Sequence, residues 1–227
     1  TMYNISNHNS VYRTDLPIYI SLAYASTHDS MITIPAVARM LDLNPKPLPK
    51  YMCLDSAMDS VYIFKYLRYK TIIPIIDLNK RHYGSDNPYA ALENRDNDGT
   101  PLCAAGHRMT RDGYDNSKMA TKFRCPVKTG KLDECPLLGK CSTSPYGRVI
   151  KLYEKKDYKL NGPIPYKSDE WKEIYKNRTC TERINNRILN DYGMHKMMIR
   201  NRSKFLFFIL IAGINIHLDA WFNNPLL

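Results

Sequence analysis

A chain of 227 residues, 44% of them apolar, is long enough to bury a core, which excludes disorder as the default state. The formal net charge of +11 and a pI near 9.3 favour a polyanionic partner such as nucleic acid. The charge is uneven, +1 over residues 1–78, +7 over 79–167 and +3 over 168–227, so the middle third is the expected electrostatic footprint.

Residues 1–16 are polar and lack the apolar segment of a signal peptide. A turn-like Thr14-Asp15 is followed by Leu16 to Ala25, rich in Ile, Leu and Tyr, which predicts a strand. Apolar residues at helical spacing over Pro35 to Leu41 predict a helix of about two turns, ended by the cluster of Pro45, Pro47 and Pro49. Tyr51-Met52-Cys53-Leu54 reads as a short strand closed by Asp55, and Met58 to Tyr69 as a helix. The β-branched run Ile72 to Ile76, with Pro74 suggesting an edge or bulge, gives the next strand and ends in Asp77. Strand, helix, strand, helix, strand is the pattern of an α/β sheet.

Residues 79–167 break into Asp, Asn, Gly, Pro and Lys with four cysteines and short apolar pieces such as Val149 to Tyr153, and read as a basic insertion without core sheet. Regular structure resumes at Ser168, an N-cap followed by Asp169 and Glu170, in a helix expected to run to about Asn190. After Gly193, a last apolar helix over Ser203 to Phe222 is expected to pack on the sheet. Its apolar run, Phe205 to Ile216, is about a dozen residues against the ~20 that span a bilayer, so a buried helix and a cytoplasmic protein without a membrane partner are expected. The domains are accordingly 1–78 and 168–227 as two parts of one core, with 79–167 inserted between them.

Two places could carry chemistry. Asp55 stands where a strand gives way to a helix, and the carboxyl ends of strands in open α/β sheets face ligand crevices, although a carboxylate there also serves as a helix cap. On the Ser168 helix, ~100° per residue puts Tyr175, Arg178 and Glu182 on one face. A carboxylate that holds a divalent cation beside an Arg and a Tyr that bind a phosphodiester would suit phosphoryl transfer, and a surface ion-pair network is the plainer alternative. His28-Asp29 is expected in a helix-leading turn and Asp77 in a turn, whereas Asp59, one turn from Asp55, is a candidate supporting group.

Tyr-x2-Arg-x3-Glu, matched by Tyr175, Arg178 and Glu182, resembles the signature of the fourth family of bacterial insertion-sequence transposases, in the retroviral-integrase superfamily. Stretches around Leu16-Pro17-Ile18, Leu54 to Ser60, Ile72 to Asn79, Ala105 to Met109, Ser144 to Arg148, Arg183 to Gly193 and Ile214 to Trp221 are similar to blocks of such proteins, so the resemblance covers nearly the whole chain. It implies an RNase H-like mixed sheet flanked by helices, with Asp55 and Glu182 as the second and third acids of a DDE triad that holds Mg²⁺ or Mn²⁺. It also implies cleavage and strand transfer on double-stranded DNA, with a homodimer as the candidate assembly. Where the family signature has a Lys seven residues after the Glu, this chain has Leu189, leaving Asn186 and Arg187, beside Tyr175 and Arg178, as the candidate DNA contacts. The first acid belongs upstream of Thr1, and Asp15 matches no catalytic block, so the resemblance implies a fragment lacking the first catalytic Asp. A catalytically inactive, DNA-binding remnant is the alternative.

Cys103-x3-His107, Cys125 and Cys135-x5-Cys141 concentrate soft ligands in a loop-rich segment with little apolar sequence of its own. A structural Zn²⁺ on Cys103, Cys125, Cys135 and Cys141, with His107 as substitute, would supply fold energy there, and four reduced thiols are the alternative. Cys53 and Cys180 are expected in the core.

Overall fold

A computed structural model describes residues 2–84, 87–90 and 92–223 as a mixed α/β structure. Positions 85, 86 and 91 of the expected insertion and 224–227 of the C-terminal segment lie outside the described residues. The chain opens on an antiparallel hairpin of β1 (Met2–Asn9) and β2 (Thr14–Leu22). The sequence predicts only the second of these, because Asn4, Asn7 and Asn9 disfavour strands, and packing overrides that preference. Alternation along the hairpin sends Tyr3, Ile5 and Tyr19 into one hydrophobic cluster and Met2, Leu16, Ile20 and Leu22 into another.

Helix α1 (Asp29–Leu43) is about twice the predicted length, with Pro35 inside it and His28, in extended conformation, capping its start through Nδ1 and the Ser30 amide. Next come β3 (Tyr51–Leu54), a 3-10 turn (Ser56–Met58), α2 (Val61–Tyr69) and β4 (Ile73–Ile76), close to the sequence reading. β3 and β4 are parallel in the register Tyr51↔Ile73 to Leu54↔Ile76. Among the described residues β4 has no other strand partner, so Pro74 sits on an edge, where its missing N–H is tolerated. Val37 and Met40 of α1, Ile63 and Leu67 of α2, and Ile75 and Ile76 of β4 form the centre of the first cluster.

The middle segment is more ordered than its composition suggests. After the short α3 (Lys80–Tyr83), β5 (Thr110–Asp115), β6 (Ala120–Arg124) and β7 (Val149–Tyr153) build an antiparallel three-stranded sheet. This sheet is separate from the β1–β2 and β3–β4 sheets, and Tyr89, Leu160 and Tyr166 from the segment enter the first cluster. Two buried charges fasten it. Glu154, fully buried, accepts from Arg68 Nε at 2.9 Å and from the Tyr114 hydroxyl at 2.5 Å. Asp59, also buried, meets Lys159 Nζ at 2.6 Å, the Asn79 amide at 2.9 Å and His82 Nδ1 at 3.3 Å.

From Ser168 the chain stays helical to Asp191, but not as one α-helix. It passes through α4 (Asp169–Tyr175), a 3-10 stretch (Lys176–Thr179), α5 (Cys180–Asn186) and a π turn (Arg187–Asp191). Helix α6 (Arg202–Asn223) then packs Ile209, Ala212 and Ile216 against Ile184 and Ile188. It crosses β2 so closely that a Cβ on Gly213 would come 3.1 Å from Ile20 Cδ1. The buried helix expected here is found in part, with Ile209, Ala212, Gly213, Ile216 and Ala220 buried. At 22 residues α6 is long and apolar enough to cross a membrane by length and composition, and 28% of its most apolar stretch is buried. Phe207, Ile214, Leu218 and Trp221 form an exposed apolar stripe along its outer side.

Removing Glu154 leaves the Arg68 guanidinium buried without its counter-charge. Glu154→Ala is therefore expected to lower unfolding stability by about 3–5 kcal/mol in urea titrations. Lys176→Ala, which breaks an exposed pair with Glu173, is expected to leave it unchanged. A Glu154→Ala loss under about 1 kcal/mol would mean that the Arg68 pair is not desolvated.

Candidate active site

The β3 ladder ends at Leu54, and the next residue, Asp55, projects from the carboxyl end of the parallel pair with its side chain exposed. Its Oδ1 accepts from the Ala57 amide at 2.6 Å, so the capping role is realised at this position. Opposite stands the helical run after Ser168. Trp171, in the first cluster, stacks on Tyr175 at 4.4 Å and 20° and fixes the phenol ring. The Arg178 guanidinium lies 5.8 Å from the Tyr175 ring centre and donates to Glu182 Oε1 at 2.6 Å. The three side chains thus share one face although a 3-10 stretch interrupts the helix, because neighbours three and four apart stay adjacent in both helix types.

Asp55 joins this group electrostatically. Burial lowers the Arg178 pKa, but the bond to Glu182 and the fields of Tyr175, Glu182 and Asp55 outweigh it and hold the guanidinium above its ordinary value. Burial, with Asp77, Asp55 and Cys53 adding to it against Arg178, raises Tyr175 to about 12, which keeps it a neutral hydroxyl at physiological pH. Asp55 and Glu182 therefore both act on the Arg178 charge, Glu182 through a hydrogen bond and Asp55 through its field.

As donors for a hard divalent cation the two carboxylates are right in kind and short in number. Among the described residues no group of three or more His, Cys, Asp or Glu side chains is arranged to hold a metal ion. Other acids near the sheet are engaged elsewhere. Asp59, a candidate supporting group by sequence, is enclosed with Lys159, and Asp77 Oδ1 accepts from the Leu78 amide at 3.1 Å and the Tyr166 hydroxyl at 2.5 Å. Asp15 is bridged by both Arg183 and His8, whose bonds outweigh burial and hold its pKa below the usual carboxylate value. Two candidate DNA contacts are likewise occupied. Arg187 pairs with Asp219 Oδ2 at 2.7 Å, and Asn186 Oδ1 accepts from Asn190 Nδ2 at 2.5 Å. Both line a shallow groove with Glu182, Arg13 and Arg183, the last two being cations that the sequence reading passed over.

A cleft of about 760 Å³ opens beside this group, between two strand edges. It is bordered by the consecutive residues Tyr3 to His8 of β1 and Tyr51 to Leu54 of β3. Consecutive rather than alternate residues mark an edge, because a strand shows every second side chain on a face. Each strand is hydrogen-bonded on its other side, β1 to β2 and β3 to β4. Lys46, Lys50 and Arg178 also line it, and among its described lining residues there is no Asp or Glu. Asn4 Oδ1 and Ser6 Oγ, on the β1 side, are buried without a hydrogen-bond partner. No sequence signal marks this cleft, because edges follow from strand pairing. Another concavity, of about 1120 Å³, lies between the middle segment and the start of α4, with Arg108, Arg111, Lys131 and Lys172 among its lining residues. Cys103, Cys125, Cys135, Cys141 and His107 border one small cavity of the middle segment.

Cys53 and Cys180 both line the cleft, and the burial expected for them holds for Cys180, with Cys53 half-buried. Burial raises the Cys53 thiol to about 12, with Cys180 adding and Arg178 opposing, and burial raises Cys180 as well. Alkylation needs the thiolate, so at pH 8 Cys53 is expected to escape iodoacetamide in the folded protein and to react in urea, as read by mass spectrometry. Labelling of folded Cys53 within minutes would show a hydrated thiol. No protein-family model matches the chain, and no curated protein and no solved structure is significantly similar to it.

Proposed function

We propose that this chain is catalytic-domain sequence of a DDE transposase with an RNase H-like core, acting on double-stranded DNA by strand cleavage and transfer. The observation that carries the reading is that Glu182 bonds Arg178 and the field of Asp55, which follows the end of a parallel strand pair, also acts on that guanidinium. In this proposal Arg178 and the neutral Tyr175 hydroxyl bind a phosphodiester of the DNA backbone. A phosphate on Arg178 would take over the guanidinium that Glu182 now holds, and Asp55 and the freed Glu182 are the residues that would hold the cation. Mg²⁺ or Mn²⁺, when bound, would stabilise the charge that develops on the attacking and leaving oxygens. The two acids present do not complete such a site, so no step is assigned to them alone. The remaining carboxylate would arrive on a strand seated in the cleft between β1 and β3, where two open edges and three cations await it.

The exposed cations of the middle segment, including Lys118, Lys128, Lys140, Arg148, Lys155 and Lys156, would track the DNA backbone. A second reading, DNA binding without cleavage, is favoured by the two-acid count and by the Arg178–Glu182 pair, which ties up both partners in the free protein.

Duplex binding and nicking of labelled DNA with Mg²⁺ or Mn²⁺ separate the two readings. If this chain cleaves, Glu182→Gln is expected to cut nicking by more than about 100-fold. Duplex affinity should change by no more than about twofold, since a phosphate displaces that carboxylate in any case. Arg178→Ala is expected to weaken binding and to lower the slope of log affinity against log salt by about one. Steep salt dependence without nicking in either metal would leave only the binding reading, and affinity that ignores salt would sink both.

A further inference from the structure

We propose that the middle segment is a zinc-binding module in which Cys103, Cys125, Cys135 and Cys141 hold one Zn²⁺ as thiolates. Cys103 comes from the connection before β5 and Cys125, Cys135 and Cys141 from the one between β6 and β7, yet all of them border a single small cavity together with His107 and Arg148. All are free thiols, so no disulfide accounts for their convergence.

Three further observations point to an ion in that cavity. First, the sheet β5–β6–β7 has little core of its own. Met109, Ala120, Phe123 and Cys125 are its buried apolar residues, and none of them belongs to either hydrophobic cluster of the chain. A small unit with so little apolar burial needs another source of stability, and four thiolates on one Zn²⁺ supply it. Second, His107 Nε2 is buried and has no hydrogen-bond partner, a costly state that a metal centre relieves. With four sulfurs filling the tetrahedron, the imidazole N–H donates to one of them, the kind of outer contact that orients metal ligands. Third, the wall is drawn in tightly around a sulfur. Gly147 has φ +72, and a Cβ there would lie 2.7 Å from Cys125 Cβ and 3.4 Å from its Sγ.

The electrostatics agree. A Zn²⁺ with four thiolates carries a net charge of −2, which a neutral setting would resist. From residue 103 to 148 the chain holds nine Lys and Arg against four Asp and Glu, and Arg148 borders the cavity itself. The side chains are not yet closed around a common point, since no three of them form a metal-holding group as they stand. The proposal requires that rotation about the Cα–Cβ bonds, between the staggered positions open to cysteine, bring the sulfurs of these cavity-bordering residues to the ~2.3 Å of a Zn²⁺ ligand. Binding releases the four thiol protons to solvent, with no change of oxidation state.

The test uses the full chain purified under reducing conditions without chelators. Elemental analysis should find about one zinc per chain. Replacement by Co²⁺ should give the intense near-ultraviolet absorption of thiolate-to-cobalt charge transfer, with visible bands of tetrahedral Co²⁺. Chelation should lower the unfolding midpoint, and added zinc should restore it. Cys103→Ser and Cys141→Ser should each lose most of the zinc, whereas Cys53→Ser and Cys180→Ser should retain it. Should a cysteine variant fail to fold, titration of the unmodified chain against a chromophoric chelator still reads the stoichiometry. Zinc below about a tenth per chain after incubation with the metal, a Co²⁺ spectrum without thiolate bands, or full zinc in a Cys103→Ser/Cys141→Ser double variant would overturn the proposal.

Discussion

Backbone hydrogen bonding along the facing edges of β1 and β3 is the constraint around which the molecule is arranged. Every strand residue carries a donor and an acceptor that need a partner, and among the described residues each of these strands finds a strand partner on a single side only. The hairpin and the β3–α2–β4 unit are therefore not joined by a ladder and must be held in place from outside the sheet plane. Helix α1 does this on one side, packing Val37 and Met40 into the cluster that also takes Tyr3, Ile5 and Ile75. The helical run after Ser168 does it on the other, with Trp171 on the β3–β4 cluster and Ile184 on the hairpin's. The same run carries Tyr175, Arg178 and Glu182 past the mouth of the cleft, so the device that spans the gap also positions the candidate site.

The middle segment is docked by a different kind of force. Arg68 with Glu154, and Asp59 with Lys159, are ion pairs whose carboxylates are almost wholly removed from water. Such pairs add little net stability over an apolar contact of equal volume, but each tolerates only one arrangement of its partners. Tyr114 shares Glu154 with Arg68, so β5, β7 and α2 are fixed to one another through a single carboxylate. Fixing position by charge suits a segment that contributes only Tyr89, Leu160 and Tyr166 to the fully buried part of the main cluster.

What could be read from the sequence was local. Tyr51 to Leu54 announces itself as a short apolar run and the Ile run of β4 by its β-branched content, each flanked by polar residues, and Ser168 caps α4 through the Trp171 amide. The shared face of Tyr175, Arg178 and Glu182 was legible because it depends on spacing alone. The rest depends on partners far apart in the chain. β1 is a strand because β2 and two clusters accept it, in spite of its asparagines. β5, Thr-Arg-Asp-Gly-Tyr-Asp, has no apolar alternation to find and exists through its pairing with β6. The engagement of Arg187 by Asp219 rests on the packing of α6, which no pattern around Arg187 foretells.

The charges at the end of β3 add a last constraint. Tyr175 is held neutral, and so is Cys53, by burial, which leaves Asp55 and Glu182 as the carboxylates whose charge acts on the Arg178 guanidinium. The formal sum of the three is −1, and a phosphodiester brought to Arg178 makes it −2. Repulsion of that size near a partly desolvated surface opposes DNA unless a divalent cation enters with it, which returns the sum to zero. Under the proposed function, cation and phosphate are then bound together or not at all. The Arg178–Glu182 pair meanwhile neutralises the one cation and one of the two acids by joining them.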